Sequence, residues 1–178
     1  SLSVSGMGAR MFFYPKKAAF RAGHTDGTEW NDINIGDYSA VLGNSNQASG
    51  EASFAAGNYN VASGYGATAL GSDCEATADN AFAAGDDNTA SGETSTVFGS
   101  RNTASGESAT ALGAQNTASG YTSTAMGNVT TASGESSTAM GFGTVASGNT
   151  STAIGYQASA SGNFATAIGT GTIAPSGS

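Results

Sequence analysis

Residues 134–147, Gly134-Glu-Ser-Ser-Thr-Ala-Met-Gly-Phe-Gly-Thr-Val-Ala-Ser147, run without a break into Gly148-Asn-Thr-Ser-Thr-Ala-Ile-Gly-Tyr-Gln-Ala-Ser-Ala-Ser161. Set one beneath the other, the two stretches share glycine at positions 1 and 8, alanine at 6 and 13 and an apolar residue at 7. Followed outward, the same period divides Gly36 to Pro175 into ten units of 14 residues, beginning at Gly36, Gly50, Gly64, Ala78, Gly92, Gly106, Gly120, Gly134, Gly148 and Gly162. Their common pattern is G-x-x-[S/A]-x-A-h-G-x-x-[N/T]-x-A-S. A flexible Gly/Ser linker has no reason to keep such a register, whereas a solenoid must, because each coil stacks on the one before.

The pattern also assigns faces. Position 8 is glycine in every unit and position 1 in all but one, which fits bends that need positive φ or a close backbone approach. Between them the side chains alternate with the period of a short strand. Position 4 is always serine or alanine, position 6 is alanine except for Val41 and Val97, and position 13 is alanine throughout. These three columns are expected to line the inside of a flat coil that holds little more than methyl groups. Position 7 points the other way and reads Leu42, Ala56, Leu70, Ala84, Phe98, Leu112, Met126, Met140, Ile154 and Ile168. Where it shrinks to Ala56 or Ala84, position 5 becomes Phe54 or Phe82, an exchange of volume that solvent would not require.

A helix is excluded by the glycines, each costing about 1 kcal/mol relative to alanine in a helix interior. As a coiled coil the unit fails too, because its apolar position recurs once in 14 residues. At about 4.8 Å per stacked strand, ten coils rise about 48 Å. So thin an interior buries little apolar area, and the position-7 stripe is expected to be covered by a neighbour. A cyclic assembly of identical chains in register would close such a contact, with the choice between two and three copies left open.

Composition narrows the function. The 178 residues include 27 glycines and a net charge of -8, from 13 acids against 5 bases. Arg10, Lys16, Lys17 and Arg21 stand near the start, so Arg101 is the one base after residue 35, where ten of the acids lie. Such a surface repels nucleic-acid phosphates and anionic membranes. No apolar stretch approaches the length of about 18 residues that marks a membrane helix, and no signal-peptide pattern opens the chain, whose Ser1 reads as a cut in a longer molecule. Cys74 replaces Asn or Thr at position 11 and reads as a small tolerated substitution.

The units Gly134 to Gly141 and Gly148 to Gly155, spaced by 14 and linked through Thr/Ser-x-Ala-Ser, resemble the head repeats of YadA-type trimeric autotransporter adhesins. The resemblance covers residues 36–175. It implies an all-β, left-handed parallel β-roll solenoid of ten 14-residue coils, homotrimeric, with Leu42, Leu70, Met126, Met140, Ile154 and Ile168 in the packed roll and trimer region. It also implies a cell-surface or secreted location, outer-membrane-anchored or within a fibre, and a role as spacer and multivalent binder of extracellular matrix or glycans. The segment Gly8 to Gly23, with Gly27 to Tyr38 after it, is similar to the one preceding such repeats in bacterial tail-fibre-like surface proteins that end in an endosialidase-type chaperone domain. No neck, stalk or anchor pattern occurs in the chain, which reads as a middle piece of a long fibrous molecule.

Residues 1–35 break the period and are expected to form a small cap, with 36–175 as the roll and 176–178 as a tail. Phe12, Tyr14, Phe20 and Trp30 are expected to pack over the first coil, whose strand edges need cover. A ligand groove from Trp30, Tyr14 and Lys16 or Lys17, and a metal pair from His24 and Asp26, are weaker readings, the latter having too few ligands. Glu51, Glu93, Glu107 and Glu135 share position 2 and read as a solvated column rather than a glycosidase pair. Asp86 and Asp87 lack the glycine-rich pattern of calcium-binding rolls. Hydroxyls abound without a base beside them, so no catalytic, metal or cofactor residue is assigned and no enzyme is expected. Thr68, Thr96, Thr110, Thr124, Thr138, Thr152 and Thr166 form a file at position 5, which gives ice binding as the second functional reading.

Overall fold

The computed structural model describes residues 6–175; the first five residues of the expected cap and the tail 176–178 lie outside the described residues. Each unit is one flat coil with a five-residue strand at positions 5–9, such as Thr124–Asn128, and a two-residue strand at positions 12–13, such as Thr131–Ala132. Successive coils pair in parallel without slippage, so that Ala111 faces Ala125 and Ala125 faces Ala139. The short strands build a ten-stranded sheet and the long ones a twelve-stranded sheet, two of whose strands come from the N-terminal segment. The chain is an all-β parallel solenoid, broken by a single 3-10 turn at Asp32–Asn34 among the described residues.

Two left-handed bends shape each coil. They fall at position 3, as at Thr122 (φ 51°), and at position 10, as at Val129 (φ 58°). Positive φ strains a residue with a Cβ, yet the ladder runs through both bends: Thr122 donates its N–H to the Glu107 carbonyl at 2.9 Å and Val129 to the Ala114 carbonyl at 3.0 Å. Position 8 also has positive φ, and a Cβ on Gly99 (φ 123°) would lie 2.0 Å from the Gly113 carbonyl oxygen of the next coil. At position 1 the second of the two expected reasons applies alone, since a Cβ on Gly50 would lie 2.0 Å from the Gly64 oxygen.

Columns 4, 6 and 13 face inward as expected: Ala55, Ala62, Ala69 and Ala76, for example, are fully buried. The expectation of a methyl-filled interior needs correction, because column 11 also points inward and carries amides. Asn46, Asn60, Asn88, Asn102 and Asn116 are buried. Asn116 Nδ2 shares its two hydrogens among three acceptors, Asn102 Oδ1 (2.9 Å), the Leu112 carbonyl of its own coil (2.9 Å) and the Gly127 carbonyl of the next (2.8 Å). Asn102 Oδ1 in turn accepts the Asn116 backbone N–H at 2.9 Å. Stacked amides so bonded occupy the core without the penalty of an unpaired buried polar group. Cys74 fills one step of this column, fully buried, and burial pushes its thiol pKa up. Thr130 ends the amide run, its hydroxyl donating to Asn116 Oδ1 at 2.7 Å.

The N-terminal segment is a hairpin of β1 (Gly8–Tyr14) and β2 (Ala19–Thr25), antiparallel to each other, with β2 pairing in parallel with β3 (Ala40–Asn44) of the first coil. Alternation along β2 puts Arg21 inward, opposite Val41, in the column that alanine fills elsewhere. The larger side chain fits because no full coil lies beyond it. Arg21 is fully buried and its guanidinium donates to the carbonyls of Phe20 (2.9 Å), Ser39 (3.0 Å) and Ala48 (3.0 Å) and to Ser39 Oγ (2.8 Å). Desolvation lowers its pKa to about 10. Trp30 closes the other side of the coil, with Nε1 donating to the Asn46 carbonyl at 3.1 Å, and Phe12 meets it edge to face at 6.0 Å. Of the four aromatics expected in the cap, two therefore pack together. Tyr14 is held instead by Asp32, and Phe20, 37% exposed, points outward because its neighbour Arg21 points in.

Candidate interaction surface

The outward face of the twelve-stranded sheet carries columns 5 and 7. Both are uncharged along the whole stack, whereas the charged residues of the coils stand elsewhere. In column 7 Leu42, Phe98 and Ile168 are 42%, 60% and 63% exposed, and Leu70, Leu112, Met126, Met140 and Ile154 are half-buried. Pleating alone explains their direction, since residues 5 and 7 lie opposite the buried residues 4 and 6. The exchange of volume is visible too: Ala84, the buried member of column 7, stands two residues from Phe82 on the same face, and Ala56 stands likewise by Phe54. The threonine file shares this face. Thr110, Thr124, Thr138 and Thr152 pair in adjacent strands and are half-buried.

Elsewhere the candidate residues are engaged with the chain itself. Trp30 is buried under the hairpin, which removes it from any groove with Tyr14 and the lysines. Tyr14 donates its hydroxyl to Asp32 Oδ1 at 2.7 Å, and Lys17 Nζ donates to the Ile35 carbonyl at 2.6 Å while Lys16 pairs with Asp32 at 3.7 Å. The Tyr14 hydroxyl, aided by Lys17 and Lys16, holds the Asp32 carboxyl below its ordinary range. A shallow concavity does lie beside Lys16 and Lys17, completed by Asp37 and Tyr38.

His24 and Asp26 turn to different partners. His24 Nδ1 lies 3.0 Å from Asn44 Oδ1, while Asp26 accepts hydrogen bonds from Ser45 Oγ (2.6 Å) and the Tyr59 hydroxyl (2.7 Å), which depress its pKa. Among the described residues no three His, Cys, Asp or Glu side chains gather as a metal site. Glu51, Glu93, Glu107 and Glu135 are exposed along the position-2 bend, as are Asp86 and Asp87 near the other bend.

Two features escaped the reading of the repeat. Phe142 and Tyr156 occupy column 9 of neighbouring coils and stack with ring centroids 5.3 Å apart and planes 7° apart, half in solvent. Their aromatic identity at equal positions was the available signal. In β1, Met11 and Phe13 are 74% and 57% exposed although they belong to the densest apolar run of the sequence. Strand alternation could have separated them from Phe12 and Tyr14, which face Trp30 and Asp32.

A family model described as the YadA head domain repeat (2 copies) matches residues 35–60, 48–73, 62–88, 76–102, 90–116, 104–130, 118–144 and 146–172. No curated protein matches the chain.

Proposed function

Because the chain belongs to the YadA head-repeat family, we propose that it is the head module of a trimeric, surface-displayed fibrous adhesin, in which three copies coil left-handedly and pack through columns 5 and 7 of the twelve-stranded sheet. The observation that supports this is the uncharged apolar face itself, which a lone chain would leave in water. An identical chain at the same height repeats every coil at the same rise, so each leucine, methionine and isoleucine finds a partner without a change of register. The bends at positions 2, 3 and 10, exposed in most coils, then face outward, where many equivalent shallow contacts add up as avidity toward matrix proteins or glycans. The acidic surface keeps the head off anionic lipid and nucleic acid, and the ordered hydroxyls lack a converging base, so the module acts by holding and displaying.

Residues 1–35 serve in this reading as a cap on the roll of residues 36–175, followed by the tail 176–178, and the resemblance of Gly8 to Tyr38 to segments of tail-fibre-like proteins favours a long fibre with an endosialidase-type chaperone domain as the parent. Solution mass by light scattering tests the proposal: three times the 17.3 kDa chain mass supports it, and a stable single-chain mass overturns it. The threonine file is the one observation that favours a second reading, ice binding. Thermal hysteresis at millimolar protein would favour it, and a freezing curve without hysteresis would exclude it.

A further inference from the structure

The apolar face does not stop at the first repeat. Across β3, β2 and β1 the pairing runs Leu42 to Ala22 to Met11 and Ala40 to Phe20 to Phe13, so the hairpin prolongs column 7 with Met11 and column 5 with Phe20 and Phe13. The three large side chains are 74%, 37% and 57% exposed, and no charge interrupts either column between β1 and the last coil. Their direction is imposed from the opposite side of the strands, where Phe12 packs on Trp30, Arg10 lies over the Trp30 ring at 5.6 Å and Arg21 is buried.

We propose that the β1–β2 hairpin sets the register between copies of this chain, by seating Met11, Phe13 and Phe20 on the hairpin and first coils of a second copy. The proposal rests on the reading of the twelve-stranded sheet as the face between copies. Within the last five repeats that face specifies register weakly. From Thr110 to Thr166 column 5 is the same residue in every coil, and column 7 reads Leu112, Met126, Met140, Ile154, Ile168. A copy displaced by one coil, about 4.8 Å, would meet nearly the same side chains, and a pairing of such uniformity is prone to slip. The first coils depart from that uniformity by exchange between neighbouring positions, Phe54 with Ala56 and Phe82 with Ala84, and by Phe98, and the non-repeating end adds Met11, Phe13 and Phe20 beyond them. An in-register copy covers all three hairpin side chains, whereas a displaced one leaves Met11 and Phe13 beyond its end, in water. A second copy is the occupant because the hairpin columns continue, strand by strand, the face that the repeats present to it.

The test is disulfide trapping in co-assembled chains. Chains carrying Thr124→Cys are mixed with chains carrying Thr138→Cys, both with Cys74→Asn, the residue that its column carries in the coils on either side. After oxidation the cross-chain links are counted by mass spectrometry. With the native hairpin, same-residue links are expected to exceed the 124–138 links, which need a one-coil slip, by about tenfold. Adding Met11→Thr and Phe13→Thr is expected to bring the two kinds within about twofold. Unchanged trimer mass with an unchanged ratio would overturn the register role and leave the face between copies intact. A native assembly without any cross-chain link, or a single-chain mass, would overturn the face and the register role together. Trp30 emission reports whether the altered hairpin stays seated; where it shifts, Phe20→Thr, on a strand paired along both edges, replaces the double change with the same expected outcomes.

Discussion

Asn102 Nδ2 donates to the carbonyl of Gly113 in the next coil at 2.8 Å, while its Oδ1 accepts the backbone N–H of Asn116 at 2.9 Å. One buried side chain thereby joins two successive coils at the corner where neither sheet reaches. Asn102→Ala would strand that carbonyl and that N–H in the interior. The expected loss is about 1–3 kcal/mol of stability for each buried group left unsatisfied, read as a lower melting temperature at unchanged oligomer mass. Asn102→Thr, which puts at this step the residue found at Thr130, is expected to lose less because its hydroxyl still reaches the preceding amide.

Gly99 has a backbone at φ 123° and a coil packed against it, whereas Gly171 has φ 62° and open space around its missing Cβ. Gly171→Ala is expected to cost about 1 kcal/mol, the ordinary strain of a side chain in the left-handed region. Gly99→Ala must also push the Gly113 carbonyl aside, which breaks pairing between two coils. Thermal melting of the two variants checks the contrast, the Gly99 variant falling well below the Gly171 variant.

Asp26 and Asp32 tie the loop between β2 and the first coil to its surroundings, Asp26 through Ser45 and Tyr59, Asp32 through Tyr14. Both carboxyls have pKa values lowered in the folded chain, chiefly by those hydroxyl donors. Unfolded, they titrate near 4. The unfolded form therefore takes up protons first, so the contribution of these contacts is complete above that value and is lost as pH falls through the lower folded values. Trp30 fluorescence, followed from pH 6 to pH 2, is expected to hold steady through about pH 4 and change below it. Asp32→Asn should make the signal at pH 6 resemble the acid form of the native hairpin.

Much of this architecture is legible in residue order because a coil of 14 leaves so few choices. Ala62, Ala76 and Ala90 lie where a larger side chain has no room, and Gly99 and Gly113 where even a Cβ would strike backbone. The amide column was not legible in the same way. Asn60 or Asn88 follows a left-handed residue in a Gly-rich bend, where asparagine is common for local reasons, and only the stacking of coils shows that its side chain turns in. The hairpin posed the opposite difficulty. Phe12 and Phe13 are adjacent and identical, and their separation into a half-buried and an exposed partner depends on β1 being a strand aligned with β2, a fact outside the repeat. Arg21 was hidden for the same reason, since a cation in an alanine column is tolerable only at the end of a stack.

Met140 sits in mid-column with Met126 on one side and Ile154 on the other. Met140→Asp would set a carboxylate in the apolar stripe between copies, at a cost of several kcal/mol when buried without a partner. The single chain should fold nearly as before, because the side chain points away from the alanine interior. The expected result is dissociation at micromolar concentration, seen by sedimentation velocity, with the circular dichroism of the sheet retained.

Whether the outward ribbon is covered can be read directly from the methionines of the unaltered protein. Mild peroxide oxidation, quantified by mass spectrometry, compares Met126 and Met140 in the native assembly with the same residues in guanidinium. Cover by neighbouring copies predicts native rates at least about tenfold below the unfolded ones. Native rates within about twofold of the unfolded ones would mean that water reaches the face freely, and would contradict the account.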